Sequence, residues 1–481
     1  MAKFYITNAI PYVNGKPHIG HALEFIQSDT IARYHKVIGD EVLLLCGGDE
    51  NALKNVQAAE AAKTPIQTFI DTNEQAFFAL SKKLSIHFDI WQKGSGTNHH
   101  LSSQKLWELC DKNGDIYKKR YKGLYCVGCE RFYVKEELNE TGECYNHPGK
   151  KVEEVEEENY FFKLSKYQEQ LIALIESNTY HIVPESRKNE IVTFLKSGLE
   201  DFSISRSNER AKNWGVSVPG DDTQKIYVWF DALNIYQSGI GFGWDEELYK
   251  KWWSADVHVI GKDIIRFHAV YWPAILLSAG LQLPKKLLVH EFFTVNGQKM
   301  SKTLGNVIDP LMLIEKYGSE ALRYYFLAKF SPFLDGDFSE ERFVETYNSD
   351  LANGLGNLIA RVAKLCENSD YTEMGNKQRV SLHLMDAKPY IEALENFKFN
   401  EALFFVWAKI TKLDQYINEE KPWALAKTQN PRLKSVLAHA IDQIQEIAAL
   451  LEPFLPETSK KIEEQFKGPK ITSAPSLFPR I

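Results

Sequence analysis

Residues 4–10, FYITNAI, are apolar and partly β-branched, which predicts a short buried strand. Turn formers follow in PYVNGK (11–16). From Gly20 onward Leu23, Ile26, Thr30, Tyr34 and Val37 recur at three- and four-residue spacing until Gly39-Asp40 ends the pattern. A strand–loop–helix unit at the start of the chain constrains the fold more than any other feature, because such units assemble into parallel sheets covered by helices. EVLLLCG (41–47) and two helical stretches up to Cys110 continue the alternation, which gives half of a sheet over residues 1–115.

The texture then changes. Residues 116–225 read as an insertion of short strands and clustered cysteines with an acidic run, EEVEEEN (153–159), taken as a solvated face. Alternation resumes with IYVWFDAL (226–233) and VHVIGKD (257–263), so residues 226–295 supply the second half of the sheet. A ligand crevice is expected where the halves meet. Residues 296–348 form a loop and linking region, and 349–481 are helical to about residue 466. There Leu351, Leu355, Leu358, Val362 and Leu365 make one apolar stripe, and Leu437, Ile441, Ile444, Ala448 and Leu451 another, which predicts a helix bundle.

A chain of 481 residues, 44% hydrophobic, holds two or three domains. Its start lacks the basic region of a signal peptide, and AVYWPAILLSAGLQL (269–283) is too short to span a membrane. Six cysteines, three of them tightly grouped, fit a reducing compartment with a metal site better than a disulfide framework, so a cytoplasmic location is expected. The net charge of −7 disfavours indiscriminate polyanion binding but leaves room for RNA recognition through local patches and exposed bases.

The grouped cysteines fall in CVGCERFYVKEELNETGECYNH. Cys126-x2-Cys129 and Cys144-x2-His147 make a closed set of three thiolates and one imidazole, as one structural Zn²⁺ requires. Two further motifs point to phosphate. In KPHIGHALEF (16–25), His18 and His21 sit on the first turn of a helix, where unpaired N–H groups and the macrodipole favour an anion. In NGQKMSKTLGNVIDP (296–310), Lys299 and Lys302 flank Ser301 on a mobile loop after the strand LLVHEFFTV. Two flexible ammonium groups there suit a triphosphate whose charge moves toward a leaving pyrophosphate.

HIGH and KMSK together resemble the paired signature of class I aminoacyl-tRNA synthetases. The ordered series NAIPYVNGKPHIGHALEFIQSD, CVGCERFY, YVWFDALNIY, VIGKDIIRFHAVYWPA, VNGQKMSKTLGN, NEEKPWALAK and LFPRI resembles the methionyl-tRNA synthetases over nearly the whole chain. Two departures stand out: the family's usual Thr-Asp-Glu-His-Gly run reads GGDEN (47–51), and the loop signature ends in Thr303 instead of Ser. The insertion is small, unlike the editing domain of the relatives that handle leucine, isoleucine and valine. The relative handling cysteine binds its substrate's thiol with an active-site zinc, which needs ligands around the catalytic loops. Here the cysteines cluster in the insertion.

The resemblance implies an α/β fold: a Rossmann-like catalytic domain interrupted by a zinc-knuckle insertion, then an α-helical anticodon-binding domain. It implies activation of L-methionine with ATP and Mg²⁺ to methionyl-adenylate, then transfer to tRNA(Met), initiator tRNA included. His18, Gly20, His21, Gly261, Lys262, Asp263, Lys299 and Lys302 would serve ATP, with both histidines and both lysines catalytic. Ile10, Tyr12, Trp229, Leu233, Tyr236, Phe267, His268 and Trp272 would wall the methionine pocket, with polar handles on Tyr236 and His268 near the thioether. Asp49 would take the ammonium group. Arg206 would lie near the tRNA acceptor end, and Asn357, Arg361 and Trp423 would meet the anticodon. Ending after LFPRI, the chain resembles the short form without an appended OB-fold, which implies a monomer without membrane attachment. The competing readings are another class I synthetase, a small-molecule adenylyltransferase on the same core, and a non-catalytic RNA-binding paralogue.

Overall fold

The computed structural model describes residues 2–126, 131–133, 135–145, 149, 151–300, 305–372 and 387–481, with only the backbone of Arg131, Phe132 and Lys299. Six parallel strands form the central sheet: β1 (Lys3–Asn8), β2 (Glu41–Gly48), β3 (Ile90–Lys93), β4 (His181–Val183), β5 (Val257–Gly261) and β6 (Lys286–His290), in spatial order β3-β2-β1-β5-β6-β4. The two sequence halves meet where β1 pairs with β5, Ile6 opposite Val257 and Asn8 opposite Val259. Strand order reverses there, which opens a crevice beyond the strands' carboxyl ends.

Side-chain alternation decides which helices cover which face. Ile6, Leu44, Val257, Val259 and Leu288 point into one core, with α1 (Ile19–Val37) and the C-terminal helices. Tyr5, Leu43, Leu45, Ile260, Leu287 and Val289 point into the other, with the helices Thr97–Lys112 and Trp272–Ser278. On α1, Ile19, Leu23, Phe25 and Ile26 are buried. Each contributes on the order of 1.5–3 kcal/mol, more than the propensity of a single helix supplies.

The insertion differs from its expected boundaries in one respect. Strand β4, a three-residue His-Ile-Val run within 116–225, belongs to the central sheet, pairing with β6 through Lys286–Leu288. Besides the helices Gln168–Glu176 and Glu185–Lys196 and a small second sheet over residues 205–226, the insertion holds an antiparallel sheet of four strands, Ile116–Cys126, Arg131–Tyr133, Glu153–Phe162 and Phe202–Ser203. The acidic run lies on the third of these strands and is balanced across the ladder: Glu156 meets Arg120 at 3.1 Å and Glu154 meets Lys122 at 2.8 Å. Both apolar stripes of the helical region are in the core, with Leu355, Val362, Leu437, Ile441 and Ile444 fully buried. No helix among the described residues is long and apolar enough to cross a membrane.

Candidate active site

At the start of α1 two imidazoles do the work usually left to serine and glutamate. His18 is the N-cap, and its Nδ1 accepts the Gly20 N–H at 3.1 Å. His21, three residues on, accepts the His18 N–H through its own Nδ1, also at 3.1 Å. The rings lie 3.9 Å apart. With Nδ1 accepting in both, each neutral ring carries its proton on Nε2. A Cβ on Gly20 would lie 2.9 Å from the His18 ring, so the glycine between the histidines is what lets His18 fold back onto the helix.

The two phosphate motifs, distant in sequence, meet here. The Ile19 N–H donates to Ile308 O at 3.2 Å, and Met300 Cε would lie 3.9 Å from a Cβ on Gly20. The lysine motif begins on a hairpin in place of the expected loop. Phe293–Val295 pairs with Gln298–Lys299 across Asn296-Gly297, whose φ values of 52° and 75° are those of a type I′ turn. Lys302 and Thr303 lie outside the described residues.

Beside the histidines stands a largely buried pair with no counterpart among the expected site residues. Glu24 Oε2 is 2.9 Å from His290 Nε2 at the end of β6, and Asn8 Nδ2 donates to Glu24 Oε1 at 2.7 Å. Burial pushes the Glu24 carboxyl up, against the pull of His290; His290 is raised because Glu24 outweighs its own burial. The sequence signal was present, since Glu24 is one turn beyond His21 and His290 ends a buried strand, but only the strand order brings them together. A Cβ on Gly261, at the end of β5, would lie 3.0 Å from the Phe292 ring. Lys262 is committed to protein partners, meeting Glu291 at 2.7 Å and Asp335 at 2.6 Å, so its charge is spent bracing the loops after β5 and β6. Asp263 is exposed at the same edge.

The aromatic residues lie on the other side of the β1–β5 junction. Trp229 and Phe267 stack at 3.6 Å, nearly parallel, and Tyr12 meets Trp229 edge-on at 6.2 Å. Phe267 and His268 lie on a wide π-helical turn, Phe267–Tyr271, a form of helix found often at functional sites. Tyr12 and Asp49 pair as a parallel bridge, with the Asp49 N–H donating to Pro11 O at 2.9 Å, which places the buried Asp49 beside the cluster. Ile10 is half-buried and Leu233 fully buried in the same core.

Tyr236 and His268 do not offer the polar handles expected of them. His268 Nδ1 faces Ile264 O at 3.0 Å and must donate, so its Nε2 accepts the Tyr236 hydroxyl at 2.8 Å. Burial lowers His268 to about 4, and the ring is neutral at physiological pH. The two groups satisfy one another and leave an apolar surface. Trp272 is fully buried, its ring contact being with Trp253 at 6.2 Å.

Arg206 is buried in a cleft with Tyr125, Arg210, Trp214, Lys225 and Tyr227, its guanidinium 4.3 Å from the Tyr227 ring centre. In the insertion Cys126 and Cys144 are buried with their sulfurs 3.3 Å apart. Cys129 and His147 lie outside the described residues. In the helical region Asn357 is exposed, and Arg361 donates to Asp414 at 2.6 Å and Asn418 at 2.8 Å. Trp423, just beyond the end of the helix that carries Asn418, is 41% exposed, which removes it from the core.

Residues 4–363 match the family model of class I tRNA synthetases (M), and residues 367–476 match the anticodon binding domain of methionyl tRNA ligase. The methionine–tRNA ligase of Thermotoga maritima is 41% identical over 485 residues, covering 98% of this chain and 76% of that protein. That of Brucella melitensis is 40% identical over 478 residues, covering 97% and 92%. The structure of Mycobacterium tuberculosis methionyl-tRNA synthetase in complex with methionyl-adenylate matches with a TM-score of 0.92 at 36% identity, covering all of both chains. Sequence identity sustained along both the sheet domain and the helical one, on a shared fold, decides the matter: the chain belongs to the methionyl-tRNA synthetases, and its reaction is the ATP-dependent joining of methionine to tRNA.

Proposed function

We propose that the crevice divides this reaction between a nucleotide end, built on His18 and His21, and an amino-acid end, built on Asp49, Tyr12, Trp229 and Phe267. The observation that carries the reading is the orientation of the histidines. Their Nδ1 atoms accept from the helix start, which sets the ring proton on Nε2, the side that would meet a phosphate oxygen. The methionine carboxylate attacks the α-phosphorus of ATP in line and expels pyrophosphate. No side chain serves as nucleophile, so catalysis rests on positioning and charge stabilisation. Lys299 and Lys302 close on the β- and γ-phosphates as charge moves onto them, and a Mg²⁺ ion bound with the nucleotide would supply further charge neutralisation. Gly261 and Asp263 serve the ribose, with Asp263 accepting from a hydroxyl, while Lys262 acts through Glu291 and Asp335.

Asp49 receives the ammonium group, and the Trp229–Phe267 stack and Ile10 receive the thioether. The paired Tyr236 and His268 form an apolar floor. In the second step the 2′-hydroxyl of the tRNA's terminal adenosine attacks the mixed anhydride, and AMP leaves. The cleft of Arg206, Arg210 and Lys225, with its tyrosines and tryptophan, suits that single-stranded end. In the helical domain Trp423 offers a stacking face and Asn357 and Arg361 polar edges to an anticodon. Cys126 and Cys144, buried side by side, would hold one structural Zn²⁺ together with Cys129 and His147 of the motif, and the metal would hold the insertion's turns together. The same reading treats the protein as a cytoplasmic monomer charging tRNA(Met), initiator included, with the domain limits given by its sequence except that β4 belongs to the catalytic sheet.

ATP–pyrophosphate exchange with each of the twenty amino acids tests this. Methionine should stimulate exchange far above the rest, without tRNA. Equal stimulation by leucine or isoleucine would remove the pocket assignment.

A further inference from the structure

The six-residue helix Val228–Leu233 carries Trp229 and Leu233 four apart, on one face. Asp231 lies between them and projects from the opposite side. So short a helix has almost no stability of its own, and its rotation must be fixed by what it is tied to. Asp231 supplies the ties. It is 2% exposed, and its Oδ1 accepts the Ser103 hydroxyl at 2.7 Å and lies 3.0 Å from His99 Nε2 on the helix Thr97–Lys112. Its Oδ2 accepts from Asn51 Nδ2 at 2.6 Å. Asn51 also donates to Gly94 O at 2.8 Å, and it stands two residues after Asp49.

Asn51 is where the run GGDEN departs from the family's usual histidine. Its geometry admits only one orientation, because a flipped amide would set its oxygen against the Asp231 carboxylate. The residue is therefore used as a donor. It spans the gap between the segment that presents Asp49 and the helix that presents Trp229, and His99 and Ser103 hold the far side of the carboxylate.

We propose that Asn51 and Asp231 form a strut that sets the distance between the two halves of methionine recognition, the carboxylate for the ammonium group and the aromatic wall for the side chain. They are positioning residues, since neither is required to touch substrate. The inference rests on the reading of Asp49 and Trp229 as pocket groups. It adds that the separation between them is maintained by a buried hydrogen bond whose loss affects the amino acid and spares the nucleotide.

Steady-state ATP–pyrophosphate exchange tests it, with KM for methionine and for ATP and kcat measured separately alongside Tm. Asn51→Ala should raise the methionine KM by about tenfold, the value of one lost charge-assisted hydrogen bond, and leave the ATP KM within about twofold. Asn51→Asp, of the same shape but opposing Asp231 with a second carboxylate, should raise it further. Asn51→His, which keeps a donor, should recover most of the loss. Asp231→Asn should reproduce the Asn51→Ala pattern and stands in for it should that protein fail to fold. Trp229→Ala separates the two levels of the argument. If it raises the methionine KM while Asn51→Ala and Asn51→Asp do not, the pocket stands and the strut is refuted. If Trp229→Ala leaves the methionine KM unchanged, the pocket assignment itself fails. If Asn51→Ala lowers Tm and moves both KM values together, the bond is merely structural and the proposal is overturned.

Discussion

His268 shows how much a residue's role depends on its neighbours. Read as an isolated imidazole beside a thioether it promises a hydrogen-bond donor, but with Ile264 O on one nitrogen and the Tyr236 hydroxyl on the other it has nothing left to give. Burial, opposed in part by the hydrogen bond to Ile264 O, lowers it from 6.5 to about 4. Across that window the unfolded chain binds a proton that the folded protein refuses. The stability owed to a neutral His268 is therefore complete above pH 6.5 and is lost as pH falls toward 4, at up to about 1.4 kcal/mol per pH unit. Denaturant unfolding between pH 7 and 4.5 should give a shallower acid limb for His268→Gln than for the wild type. Identical slopes would mean that the ring takes up its proton in the fold at the same pH as in the unfolded chain. The buried His258 is lowered in the same direction and keeps the variant's limb from becoming flat. His18 and His21 are the opposite case. Their neighbours were written into one contiguous stretch, with a glycine between, so their place at a helix start was legible from sequence. Glu24 and His290 were not legible as a pair, because a helix and a strand from opposite ends of the catalytic domain must first be set side by side.

At the scale of elements, strong periodicity was readable and short or two-sided elements were not. The helical stripes and the strand before His18 follow directly from spacing. Strand β4 has only three residues, too few to display a period, and it becomes a strand because β6 offers it an edge. The acidic run was readable as exposed, but its partners, Arg120 and Lys122, depended on the register between strands. Lys262, expected to serve ATP in the segment at the ribose, similarly meets an Asp335 that comes over it on a loop more than 70 residues away, a neighbour that spacing alone does not show. The base of the insertion shares the larger core through Phe162, Leu171 and Leu195, while its tip has, among the described residues, a small cluster of Cys126, Tyr133 and Cys144 with Leu138 and Val152 packed against them. The order of the tip should therefore depend on zinc. Elemental analysis should find one zinc per chain, and Cys126→Ser should lower that content and make the insertion the first site of limited proteolysis. A metal-free protein with wild-type protease resistance would contradict it.

Across the whole molecule, α1 ties the chemistry to the helical domain. Its first turn holds His18 and His21, and its middle holds Asp29, which is 2.8 Å from Arg323. Arg323 is fully buried and donates onward to Phe454 O at 2.7 Å and Pro453 O at 3.2 Å, in the turn between two C-terminal helices. A buried charge is tolerable only with such partners, so this junction is specified tightly. In the proposed division, nucleotide chemistry and amino-acid recognition nevertheless occupy separate ends of the crevice, which makes them separable by mutation. His18→Asn keeps a good N-cap and so the helix start, but removes the Nε2–H donor. Trp229→Ala removes the wall and leaves the helix start alone. Single-turnover adenylate formation, with rate and methionine affinity resolved for both variants, is the most direct measurement. The division predicts a rate at least tenfold lower with unchanged methionine affinity for His18→Asn, and weakened methionine affinity with unchanged ATP affinity for Trp229→Ala. A normal rate in His18→Asn, or an ATP defect in Trp229→Ala, would contradict it.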